Sequence, residues 1–227
     1  MNAKHRIGLS ATLALALGAC FSSSAWAGNP LDNVGVEHNA YLGCLMADGA
    51  PPPSLELLVT RCGYRPQGSV SDFIRTYQPY MPTEARSTYS QRVAPYRTQF
   101  TPAEYAFVAK IERALSPQAQ SPEEIDRALA ALEDQALAQL GDKSPGARGI
   151  LASLSTARHS LQFWTPYYIE REESQSKLPK WLKVVIKVVA TVATDAAVGA
   201  VLGSNPVTAP AAGPAAGAAS GIVAGAL

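Results

Sequence analysis

Histidine is scarce in this chain, with three in 227 residues. His5 lies in a leader-like start, which leaves His38 and His159 for any chemistry. Cysteine is equally scarce, at three. A metal site needs three or four convergent ligands, and two distant histidines with two cysteines expected to be paired do not supply them. No metal and no cofactor is therefore expected. No phosphate-cradling glycine loop, dinucleotide fingerprint or G-x-S-x-G elbow occurs. Ser174-Gln-Ser-Lys177 matches S-x-x-K, but its companion S-D-N and K-T-G strings are missing, and it reads as chance. Charge of one sign is also lacking. The full chain has 19 basic and 18 acidic residues, which gives nothing to hold nucleic acid. Period-two alternation is absent, so no strand is expected.

What is present begins with an address. Lys4 and Arg6 precede an apolar run from Ile7 to Ala19, and Ala25-Trp26-Ala27 closes a small-residue stretch. This is the pattern of a secretory signal peptide over residues 1–27, with the mature chain starting at Gly28. The run is too short to span a bilayer. Leu17-Gly18-Ala19-Cys20 also resembles the lipobox of bacterial lipoproteins, which would make Cys20 a lipidated N-terminus. Both readings place the protein outside the cytoplasm, in the periplasm or outer envelope, or fully secreted. Removing Lys4 and Arg6 leaves 17 basic against 18 acidic residues, net −1. Cys44 and Cys62 then remain as an even pair in an oxidising compartment, and are expected to form a disulfide.

The mature chain reads as all-α: a helical domain over 28–170, a linker at 171–179, and an amphipathic helix with a Gly/Ala-rich hairpin over 180–227. Val34, His38, Tyr41, Leu42 and Leu45 have helical spacing, with Asp32 or Asn33 as the start and Gly49 as the stop. Ser54 caps a short helix that ends at Gly63. Two short helices are expected near Val70–Gln78 and Thr83–Val93. Thr101-Pro102-Ala103-Glu104 and Ser121-Pro122-Glu123-Glu124 are capping boxes with proline in the first helical position. A third helix starts at Ser144-Pro145 and is expected to break at Thr165-Pro166. Short connections make such helices antiparallel neighbours in a bundle.

Two regions of this domain are weighed for chemistry. His38 falls on the apolar stripe of its helix and reads as structural. A general-base role finds no nucleophile placed by any motif. His159, beside Arg158, reads as a surface or helix-end residue. The stretch 64–100 holds Tyr64, Tyr77, Tyr80, Tyr89 and Tyr96 with five arginines, net +3. The first expectation is that the rings pack the bundle and arginine stems cover them. Tyr and Arg are also common interface anchors, which makes this stretch the best candidate for a protein or glycan partner. Val34-Gly35-x-x-His38-Asn39-x-x-Leu42 resembles a string near the start of uncharacterised secreted bacterial proteins, which implies no activity.

The last residues carry the most specific pattern. Gly199 and Gly203 are four apart, and Gly213, Gly217, Gly221 and Gly225 continue that spacing. Residues four apart share a helix face, so these glycines form a groove that another backbone can enter. On the helix before them, Lys180, Lys183, Lys187 and Asp195 fall on one polar stripe, and Val184, Val185, Ile186, Val188, Val189 and Val192 fill much of the rest. Asp195 and Lys187 cancel most of the insertion energy of its apolar residues, which favours an interfacial position or an oligomer over a lone span. Ala197-Val-Gly-Ala-Val-Leu-Gly203 and Gly217-Ala-Ala-Ser-Gly-Ile-Val-Ala-Gly225 resemble the glycine-zipper hairpins of bacterial envelope proteins, of the 17-kDa surface-antigen type. The resemblance implies membrane association or self-assembly, and no catalysis. The expected function is thus a non-enzymatic cell-envelope protein that meets a membrane surface or another copy through 180–227. A bacteriocin-like, membrane-permeabilising effector is the alternative.

Overall fold

Proline and glycine punctuation divides the described residues into nine α-helices. The computed structural model describes residues 28–116, 121–172 and 179–227. The elements are α1 (Asp32–Leu45), α2 (Leu55–Thr60), α3 (Val70–Tyr77), α4 (Tyr89–Val93), α5 (Pro102–Ala114), α6 (Pro122–Leu140), α7 (Pro145–Arg171), α8 (Lys180–Gly203) and α9 (Ala212–Ala224). No strand occurs among the described residues, and the fold is all-α. The signal-peptide segment with Cys20, and the Ser174–Lys177 string, lie outside the described residues.

Local chemistry sets most helix starts. Thr101 and Ser121 each accept from the amide three residues on, while Glu104 and Glu124 reach back to the cap amides. Ser54, Ser69 and Ser144 cap α2, α3 and α7 in the first of these two ways. Two expected boundaries are corrected. The helix expected from Thr83 starts only at Tyr89, because Thr88 and Gln91 form a capping box there. The expected break at Thr165-Pro166 does not occur, and α7 runs through Pro166 to Arg171. An interior proline costs about 3 kcal/mol. Trp164 and Tyr168 flank it, both buried and stacked 5.4 Å apart, and their burial offsets that cost.

Four helices form a closed ring. α7 packs against α1 and α8, and α9 closes the circuit by packing against both α8 and α1. α5 and α6 cover the outer side of α7, α4 lies on α8 and α5, and α2 leans on α3 and α9. Residues 180–227 therefore share one core with the helical domain: Val184, Val188, Val192 and Ala196 pack in the same apolar cluster as Leu42, Phe107, Ile150 and Trp164. The Cys44–Cys62 disulfide ties the end of α1 to the residues just after α2.

Because α7 is surrounded, its polar residues need partners inside the protein. Arg158 is buried, with Nη1 2.6 Å from Glu133 Oε2 and Nε 3.1 Å from Asp126 Oδ1. His159 lies 3.0 Å from Asp32 Oδ1. The expectation of a surface position for His159 is corrected: it is partly buried and held by Asp32.

Candidate functional site

The ring places a polar centre on its axis. His38 of α1 and Asp195 of α8 are both fully buried, with Nε2 and Oδ2 3.0 Å apart. Asp195 Oδ2 also accepts from Ser160 Oγ at 2.5 Å and from Trp164 Nε1 at 3.2 Å, both on α7. Asn39 Nδ2 donates to the His159 carbonyl at 2.8 Å. That orients the amide so that its oxygen faces His38 Nδ1 at 2.8 Å, and this ring nitrogen carries the hydrogen. The His38–Asp195 approach has ion-pair distance but lies off the direction of a hydrogen bond. His38 Nε2 and Asp195 Oδ1 are accordingly buried polar atoms without a hydrogen-bond partner.

Serine, histidine and aspartate thus meet here, but the wiring is not that of a nucleophilic triad. In a triad the imidazole stands between hydroxyl and carboxylate. Here the carboxylate stands in the middle, and the Ser160 proton points at Asp195 and not at an imidazole. The chemistry suits a cross-brace, joining α1, α7 and α8 at one point.

The glycines serve the same ring. A Cβ on Gly199 would sit 2.9 Å from Thr156 Oγ1, and one on Gly203 would sit 2.8 Å from Ala152 Cβ, so α8 lies directly on α7. A Cβ on Gly213 would sit 2.5 Å from the Val34 carbonyl oxygen, and one on Gly217 would sit 3.2 Å from the His38 carbonyl oxygen, so α9 lies directly on α1. Gly221 meets Pro53, while Gly225 meets only its own helix backbone. α7 answers with a small-residue surface of its own, Gly149, Ala152 and Thr156, which the sequence reading missed. Its signal was the spacing of small residues along Gly146–Ala157, visible beside the apolar positions that defined that helix.

The polar stripe of α8 faces inward, against α7. Asp195 enters the centre just described. Lys183 and Lys187 hold Glu172 at 3.2 and 3.0 Å. Those two hydrogen-bonded ammonium groups, Lys187 foremost, hold the Glu172 carboxyl below its usual range. Lys180 stays exposed at the start of the helix. What the N-terminal half of α8 turns to solvent is apolar: Trp181 is 56% exposed and Ile186 is 44% exposed.

The Tyr/Arg stretch divides between the two expectations. Tyr89 is buried and shares a hydrogen bond with Ser153 at 3.0 Å, and Tyr77 is buried and donates to the Thr208 carbonyl at 3.3 Å. Tyr80 and Tyr96 remain half-buried and stack on each other 5.5 Å apart. They border a cleft of about 210 Å³ whose floor is Thr194, Ala197, Val198 and Val201 of α8. Arg92 lines it too, donating from Nη2 to the Glu84 carbonyl at 2.6 Å and from Nε to the Ser87 carbonyl at 3.3 Å. Among the described residues no three His, Cys, Asp or Glu side chains converge as a metal site would require. Set beside protein-family models, curated proteins and solved structures, the chain matches none of them.

Proposed function

We propose that the chain is an exported, non-enzymatic protein of the bacterial cell envelope, and that it rests on a membrane surface through the end of the bundle where α7 passes into α8. The observation that carries this reading is the outward face of α8. This helix, the one among the described residues that is long and apolar enough to cross a membrane, leaves Trp181 and Ile186 in solvent, next to the exposed Lys180. Ile169, 49% exposed, lies at the same end, since its near neighbour Glu172 is bound to Lys183 and Lys187. Tryptophan and aliphatic residues beside lysine suit the boundary between headgroups and acyl chains.

Lying on the surface fits the packing better than spanning, because most of the apolar length of α8 is buried inside the protein. Self-assembly through the glycine face has less support. Gly199, Gly203, Gly213, Gly217 and Gly221 already meet helices or loops of their own chain. Permeabilising a membrane would require α8 and α9 to leave α7 and α1. Export is supported by the signal-like residues 1–27 and by the Cys44–Cys62 bridge, a bond that persists in oxidising compartments.

The test is flotation of the mature chain with vesicles of mixed zwitterionic and anionic phospholipid. Burial of each exposed side chain contributes about 1.5–3 kcal/mol, so replacing both Trp181 and Ile186 with serine is expected to weaken partitioning ten-fold or more. Equal flotation of both proteins would refute the reading.

A further inference from the structure

We propose that the cleft between residues 79–96 and α8 binds one ring of a neutral sugar. Pockets for drug-sized ligands measure about 300–1,000 Å³. A cleft of about 210 Å³ is smaller and admits a single ring. Its charged residues come as a pair, since Arg92 and Glu84 both line it. A simple anion would meet Glu84, and a simple cation would meet Arg92. A polyhydroxyl ring satisfies both, because each hydroxyl donates one hydrogen bond and accepts others.

Arg92 is built into this place. Two backbone carbonyls fix its position, and the ion pairs of the described residues do not include it. Its burial works against the charged form and lowers its pKa. A half-buried cation with hydrogen atoms still to give is a strong donor toward a neutral oxygen. Tyr80 and Tyr96, stacked on each other, line the cleft and bring aromatic carbon to the carbon-bound face of a sugar ring. Ser87 and Gln91 add neutral polar groups at the rim. The floor residues 194–201 lie further along α8 than Trp181 and Ile186, so this site is independent of the membrane-facing end.

The experiment is saturation-transfer NMR on the mature chain with glucose, galactose and N-acetylglucosamine, each alone. Ring protons of at least one sugar are expected to receive saturation. Tyr96→Leu is expected to weaken that binding about five-fold, the loss of one aromatic contact. Glu84→Gln keeps the shape of an exposed residue and is expected to weaken it about ten-fold, the loss of a charged acceptor. It also serves as the test if Tyr96→Leu fails to fold. No transfer to any of the three sugars would overturn the proposal, as would unchanged binding in Glu84→Gln. Binding of inorganic sulfate without sugar would overturn it in favour of an anion site.

Discussion

Asp195 receives hydrogen bonds from two α7 side chains and faces His38 of α1, so one carboxylate of α8 meets two other helices of the ring. Removing the carboxylate leaves the Ser160, Trp164 and His38 groups around it buried without their acceptor, at a cost of about 1–3 kcal/mol. Asp195→Ala is expected to lose that much in urea or thermal unfolding. Replacing His38 and Asp195 together with leucine and methionine removes both polar groups and is expected to cost clearly less than the sum of the single changes. A double-mutant cycle measures this coupling, and additive single losses would show that the pair is not one unit. This centre was only half legible in the sequence. His38 sat on an apolar stripe, which marked it as buried. Its partner was 157 residues away on a helix whose lysines made Asp195 read as part of a polar stripe, with no sign of what covers it. Periodicity assigns residues to a face, but which neighbour covers that face is decided by the tertiary fold.

Helix termini were the most legible elements, because a cap and the amides it satisfies lie within four residues of each other. Thr101, Ser121 and Ser144 therefore announced α5, α6 and α7 correctly. Thr88 and Gln91 carry the same S/T-x-x-E/Q signature, and it fixes the start of α4 later than the expected Thr83. Pro166 misled because a local penalty was outweighed by the remote packing of Trp164 and Tyr168. The glycines show both sides of this. Their spacing disclosed a close-approach surface, but not that α7 and α1 would occupy it. Two substitutions test the assignment. Gly213→Leu drives a side chain into the α1 backbone, and overpacking of this kind costs roughly 1–3 kcal/mol or more. Gly225→Ala meets only its own helix and replaces a poor helix former, so it is expected to be neutral or to stabilise by up to about 1 kcal/mol. Equal destabilisation by the two, read from denaturant midpoints, would refute the packing described for α9.

At the scale of the whole molecule, acid and reduction act on separate fastenings. Glu172 is held below its usual range by Lys187 and Lys183. Glu104 is also held low: its burial opposes this, but hydrogen bonds from Ser144, Thr101 and the Ala147 amide prevail. A carboxyl that ionises more easily when folded stabilises the protein above the ordinary range near 4.5, and that contribution is lost as the pH falls through the folded value. Urea midpoints are thus expected to fall on the acid side, with a shallower fall in Glu172→Gln. Tyr64, pushed up to about 12 by burial, adds an alkaline limb: stability declines once the unfolded tyrosine ionises near 10.0 while the folded ring resists. Reduction of Cys44–Cys62, which closes a separation of 18 residues, is expected to cost about 3 kcal/mol. Thermal melting with and without a phosphine reductant measures it, and an unchanged midpoint would show that the bridge fastens nothing.

The order of helices around the ring has a consequence for synthesis. α1 is among the first elements to leave the ribosome, and α9, which closes the circuit against it, is the last. Until α8 and α9 emerge, α1 and α7 have two open sides, and His38 has no Asp195 to face. Pairing α9 with α1, two elements far apart in the sequence, is therefore a slow, non-local step that must come after both have been made.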